Sequence, residues 1–178
     1  KFCHGNEGGG AVFVNNATFN MSGTSVISGT DYYDPSKSGN SVQKNGGGVY
    51  VQGTNSSFTM DGGTIMDNAA DDANNGGGGG VYISGGTVNL KNGTIKNNKS
   101  GISTATNGGG IAIWGGDVTL TNMTITGNEV SLSANPTGWN GDFSTGGGIF
   151  ATSSSTKLTI IDCHIDNNKT SLYGAGIY

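Results

Sequence analysis

Arginine is absent from the 178 residues, and the bases are eight lysines against twelve acids, for a net charge of −4. A nucleic-acid surface needs clustered basic side chains, so nucleic acid is not an expected partner. Charged residues make up 11% of the chain, too few for an extended ionic surface. No apolar run approaches the roughly 20 residues that span a bilayer, so membrane insertion is not expected. Apolar residues are 33% of the sequence, which is lean for a broad globular core. Apolar spacing at the helical period of 3.6 is missing over any useful length, so no helix is predicted. The two cysteines, Cys3 and Cys163, are too few for a disulfide framework.

Glycine is abundant instead, at 35 residues. Triplets begin at Gly8, Gly46, Gly78, Gly108 and Gly146, and Gly174-Ala175-Gly176 is a variant. They lie 38, 32, 30, 38 and 28 residues apart. Recurrence at 20–50 residues is the signature of a repeat architecture, in which each unit buries its apolar face only against the next.

Apolar residues two apart follow each triplet: Ala11/Phe13, Val49/Val51, Val81/Ile83, Ile111/Ile113 and Ile149/Ala151. A second alternating pair comes next: Phe19/Met21, Phe58/Met60, Val88/Leu90, Val118/Leu120 and Leu158/Ile160. Five residues after each second pair stands Val26, Ile65, Ile95, Ile125 or Ile165. Three residues later comes Asn68, Asn98, Asn128 or Asn168, with Gly29 in the first repeat. Period 2 is a strand with one buried face. The prediction is an all-β chain, a right-handed parallel β-helix of about five to six coils with three strands each. It forms one domain over residues 1–178, read as a mature piece or a segment of a longer repeat protein.

The triplets mark the corner entering the first strand, where positive φ and close backbone approach require glycine. The asparagines are expected to turn inward and hydrogen-bond along a structural ladder, Asn68, Asn98, Asn128 and Asn168. Seven N-x-[ST] sequons occur. With Asn98 and Asn168 in the ladder, Asn55 and Asn122, in turns, are the accessible candidates for glycosylation. Cys3 and Cys163 lie about five repeats apart. At about 4.8 Å per repeat that is roughly 24 Å, and a disulfide needs Cα atoms within about 7 Å, so no bond between them is expected.

The glycine triplet with an aliphatic residue, followed by Ile-x-x-Asn, resembles the repeats of polymorphic outer-membrane proteins. It is more similar still to those of large surface proteins of spirochaetes and gut bacteria. The matching pieces are Gly46–Val51 with Ile65–Asn68, Gly78–Ile83 with Ile95–Asn98, Gly108–Ile113 with Ile125–Asn128, and Gly146–Ile149 with Ile165–Asn168. Isoleucine stands where the outer-membrane repeats have phenylalanine. The resemblance implies an extracellular or cell-surface location and a stalk-like or adhesive role.

Length varies mainly between the third strand and the next triplet. From Val26 to Gly46 is 20 residues and from Ile125 to Gly146 is 21. These long loops carry Tyr32, Tyr33, Trp139 and Phe143, with Asp31, Asp34 and Asp142. Insertions on one edge of a repeat array mark a binding face, and rings beside carboxylates suit carbohydrate or a host-cell surface. The candidate ligand residues are Tyr32, Tyr33, Trp114, Trp139 and Phe143. Charge reversal at Asp117 is expected to leave their binding intact. A structural reading stands beside this one: the outward column Val12, Tyr50, Tyr82, Ala112, Phe150 and Tyr178 needs cover, and the loops can supply it.

Catalysis has less support. Glycoside hydrolysis needs carboxylates roughly 5–10 Å apart, and Asp61, Asp117 and Asp162 fall in different turns or columns. No catalytic residue, metal or cofactor is expected; the enzymatic alternative is a polysaccharide hydrolase or lyase. Outward threonines at positions 59, 119 and 159 keep ice binding open, although Asp117 and Lys157 interrupt the neighbouring column. Strand edges at either end invite end-to-end self-association, as in a fibre subunit.

Overall fold

A computed structural model of the chain describes residues 4–5, 8–29, 41–42, 45–70, 76–101, 107–131 and 145–178. Among them every regular element is a strand and none is a helix. The strands pair in parallel with their counterparts one repeat away, in an eleven-stranded and a five-stranded sheet.

The register places like on like. Val49 pairs with Val81, Val81 with Ile111, and Ile111 with Ile149. Phe58, Val88, Val118 and Leu158 form a second row. Ile65, Ile95, Ile125 and Ile165 form a third. The aliphatic side chains of the middle repeats in these rows are wholly buried. Each is worth roughly 1.5–3 kcal/mol relative to exposure. The core is narrow because alternate residues leave it, which is how 33% apolar composition suffices.

The triplet Gly108–Gly110 shows why glycine recurs. Gly108 has φ +65°, a left-handed conformation. A Cβ on Gly109 would lie 2.6 Å from backbone atoms of Glu129, and one on Gly110 would lie 2.6 Å from the Gly148 carbonyl. Two segments of backbone approach too closely for any side chain between them.

That second segment is a strand the sequence did not reveal. Two-residue strands at Ala69–Ala70, Lys99–Ser100 and Glu129–Val130 follow the asparagines and pair in parallel. Each repeat thus has four extended segments rather than three. Some run on continuously: Val81–Lys91 and Ile111–Thr121 join the first two, and Ser57–Met66 joins the second and third.

The first repeat departs from the expected register. Val12 and Val14 pair with Val49 and Val51, and Phe13 pairs with Tyr50. So Val12/Val14 take the inward positions assigned to Ala11/Phe13, and Phe13 takes the outward place assigned to Val12. The reason is the turn: Gly9, with φ +65°, occupies the place of Gly46, so the effective triplet is Gly9-Gly10-Ala11. Further on, Val26 pairs with Thr64 and is 54% exposed, whereas Ile27 pairs with Ile65. One extra residue between Gly23 and Val26 bulges the strand and moves the pattern on by one. Gly29 therefore falls beside Asp67 and not beside Asn68.

Candidate functional site

Two features stand out from the repeating core: an internal ladder of amides and a groove beside Trp114.

The ladder runs through Asn68, Asn98, Asn128 and Asn168, all buried. Each Nδ2 donates to the Oδ1 of the next asparagine, at 2.9, 3.0 and 3.0 Å. Each backbone N–H donates to that same Oδ1, at 3.1, 3.0 and 3.0 Å. The second Nδ2 hydrogen goes to the carbonyl of Ile27, Ile65, Ile95 or Ile125. The residue before each asparagine, Asp67, Asn97, Gly127 or Asn167, has φ between +51° and +65° and makes the turn that points the amide inward. Asn68 Oδ1 is shielded from solvent and has no hydrogen-bond partner. Its counterpart in the first repeat is not an asparagine.

A second ladder lies outside. Asn122 Nδ2 donates to Asn92 Oδ1 at 2.9 Å, and Asn92 Nδ2 to Asp61 Oδ1 at 2.9 Å. Lys91 Nζ sits 3.0 Å from Asp61 Oδ2. The Asn92 amide first, and then Lys91, hold the Asp61 carboxyl below its ordinary pKa of 3.8. Asn122, expected as an accessible sequon, is exposed with its amide engaged in this ladder. Asn55 is also exposed.

Trp114 stands at the end of the first extended segment of Ile111–Thr121, just before the bend at Gly115-Gly116. The bend bulges against the matching Ser84-Gly85-Gly86-Thr87 of the preceding repeat, with register shifts on either side of Gly115. Both bends open a groove of about 510 Å³, walled by Trp114 and rimmed by Ser84, Thr87, Asp117, Ser155 and Lys157. The indole leans on Phe150, with ring centroids 5.5 Å apart at 47°. Its Nε1 is shielded from solvent and has no acceptor. Asp117 Oδ2 and Lys157 Nζ are 3.4 Å apart, both well exposed.

Asp117, expected to be remote from ligand binding, thus shares one groove with Trp114. Ser84 escaped sequence reasoning altogether, and Lys157 entered it only as a break in an outward column. Their only signal is the pair of Gly-Gly bends, each flanked by polar residues. Tyr32, Tyr33, Trp139 and Phe143 lie outside the described residues. The outward column is Phe13, Tyr50, Tyr82, Ala112, Phe150 and Tyr178. Tyr82, Ala112 and Phe150 in its middle are buried, while Phe13 and Tyr178 at its ends are about half exposed.

Cys163 is a half-buried free thiol that donates to the Ile161 carbonyl at 3.2 Å. Cys3 lies outside the described residues. His164 Nε2 is 2.9 Å from Asp166 Oδ2 on the exposed face. Among the described residues no three His, Cys, Asp or Glu side chains converge on a metal-sized site. No helix among them is long and apolar enough to cross a membrane. No protein-family model matches the chain, and neither a curated protein nor a solved structure matches it.

Proposed function

We propose that the chain is a right-handed parallel β-helix serving as a non-catalytic, structural and adhesive segment of an extracellular surface protein. The observation that carries this reading is the continuous amide ladder. One asparagine per repeat, bonded to the next through both side chain and backbone, makes a stiff axis that adds one rung for each repeat added. Parallel in-register pairing between repeats supports it. A stiff array with an aliphatic interior and glycine at its corners suits a spacer that holds a binding face away from a cell. Antibodies raised against the purified segment should label intact cells of the source, and protease added outside should remove the label. Label that appears only after permeabilisation sinks this reading.

A second reading is end-to-end self-association. Strands of one repeat pair in parallel and in register with those of the next, and the same edge groups can template a strand of another copy. Electron microscopy across a concentration series should then show filaments with an axial repeat of roughly 25–30 Å, five to six strand spacings. Isolated particles at every concentration sink it.

A further inference from the structure

We propose that the groove beside Trp114 is a binding subsite for one neutral pyranose ring of a carbohydrate. The inference rests on the adhesive part of the reading above and gives it a place and a ligand class.

The groove has the parts that sugar recognition needs. Its floor is Gly85-Gly86 and Gly115-Gly116, so no side chain fills it. A Cβ on Gly115 would already approach the Ser84 carbonyl to 3.2 Å and Ser155 Oγ to 3.7 Å. Its wall is the indole of Trp114, braced from behind by Phe150. An indole face offers a flat apolar surface to the C–H face of a pyranose ring. Its volume of about 510 Å³ lies within the range of small-ligand sites.

The rim supplies hydrogen bonds of both kinds. Asp117 accepts, Lys157 donates, and the hydroxyls of Ser84, Thr87 and Ser155 do either. At 3.4 Å, the Asp117–Lys157 contact is longer than the 2.7–2.9 Å of a strong charge-assisted bond. An exposed pair of this kind holds little free energy, so both groups can turn to ligand hydroxyls at small cost. One carboxylate and one ammonium cancel, which favours a neutral sugar over a uronate or an amino sugar. The Trp114 N–H lacks an acceptor in the free protein. A ligand hydroxyl reached by a small tilt of the ring would supply it.

Native gels cast with one neutral polysaccharide each (galactomannan, xylan, mannan and mixed-linkage β-glucan) test the proposal by affinity electrophoresis. The intact chain should be retarded in at least one. Trp114→Ala should weaken that retardation by about tenfold or more, as loss of an aromatic anchor does. Lys157→Ala, on the exposed rim, should weaken it with an unchanged melting temperature, and Phe13→Ala, at an exposed ring outside the groove, should leave it unaltered. Retardation in none of the four gels overturns the proposal. So does unchanged retardation in Lys157→Ala together with Trp114→Ala, or its loss in Phe13→Ala alone, which puts binding elsewhere. Cell labelling reads the surface location separately, so the two can fail independently.

Discussion

Asn128 donates twice to one oxygen of Asn168, forty residues away, once from Nδ2 and once from its backbone N–H, both at 3.0 Å. Its own Oδ1 accepts the same pair from Asn98. Removing one side chain therefore leaves the Asn98 donors without their acceptor and takes one of two donors from Asn168 Oδ1.

Asn128→Ala would leave both Asn98 donors and the Ile95 carbonyl buried without these partners, while Asn168 Oδ1 keeps the backbone N–H of residue 128. Each such orphan costs roughly 1–3 kcal/mol, so a loss of about 3 kcal/mol or more is expected in urea denaturation. Asn92→Gly is the control on the outer ladder. It keeps the left-handed φ of +57° and loses only exposed bonds, so it should change stability by no more than about 0.5 kcal/mol. Equal losses in the two variants would contradict the role given to the inner ladder.

Gly109→Ala and Gly23→Ala separate close approach from backbone conformation. A Cβ at Gly109 collides with Glu129 backbone, whereas one at Gly23 meets nothing within 4 Å although φ is +64°. The first should cost about 3 kcal/mol or more, as overpacking against backbone does. The second should cost about 1–2 kcal/mol, the penalty for a left-handed alanine. Thermal melts of both variants give the order, and the reverse order would refute it.

Acid should weaken the fold through Asp61 and Asp166. Asp166 is held below its ordinary 3.8, by the Thr126 hydroxyl first and by His164 after it; Asp61 is held down by Asn92 and Lys91. A depressed folded pKa means that folding favours the ionised form. The stabilisation is complete above the ordinary value and is lost as pH falls through the folded one. The melting temperature should therefore decline below about pH 4, modestly, because Asp61 is exposed and Asp166 is only half-buried. Asp61→Asn should flatten that decline, and an identical acid limb in the variant would rule out the contribution.

In a secretory host that glycosylates, the folded product should carry glycan at Asn55 and none at Asn98 or Asn168. Asn55 is exposed, while the other two amides are buried rungs with both Nδ2 hydrogens or the carbonyl engaged. Occupancy at Asn122 should be lower than at Asn55, because its Nδ2 is donated to Asn92. Peptide mass spectrometry reads all four. Glycan at Asn98 in folded material would contradict its buried place.

The alternation Val49/Val51 and Val81/Ile83 was legible because an in-register parallel array makes equivalent positions chemically alike. So was the inward asparagine, since a short amide offers donor and acceptor together along the axis. The first repeat misled. Ala11/Phe13 and Val26 satisfy the spacing as well as Val12/Val14 and Ile27 do, and only the turn at Gly9 and the bulge before Val26 choose between them. A single-residue slip exchanges the two faces of a strand, and a local pattern of apolar residues cannot see the neighbour that fixes it. The groove was hidden for a related reason. Ser84, Asp117 and Lys157 are 33 and 40 residues apart in sequence, and each looks like an ordinary outward residue on its own strand.

The sequence by itself determined that this chain is all β, that its unit is about thirty residues, and which residues recur in the core. Those properties follow from local alternation and from identity between repeats. The tertiary structure decided the register of the first repeat, the fourth short strand against the glycine triplets, and the meeting of Trp114 with Asp117 and Lys157. Each of these depends on how far apart two backbones lie and how a bulge turns them. Distance between segments is a property that a linear pattern of residues does not contain.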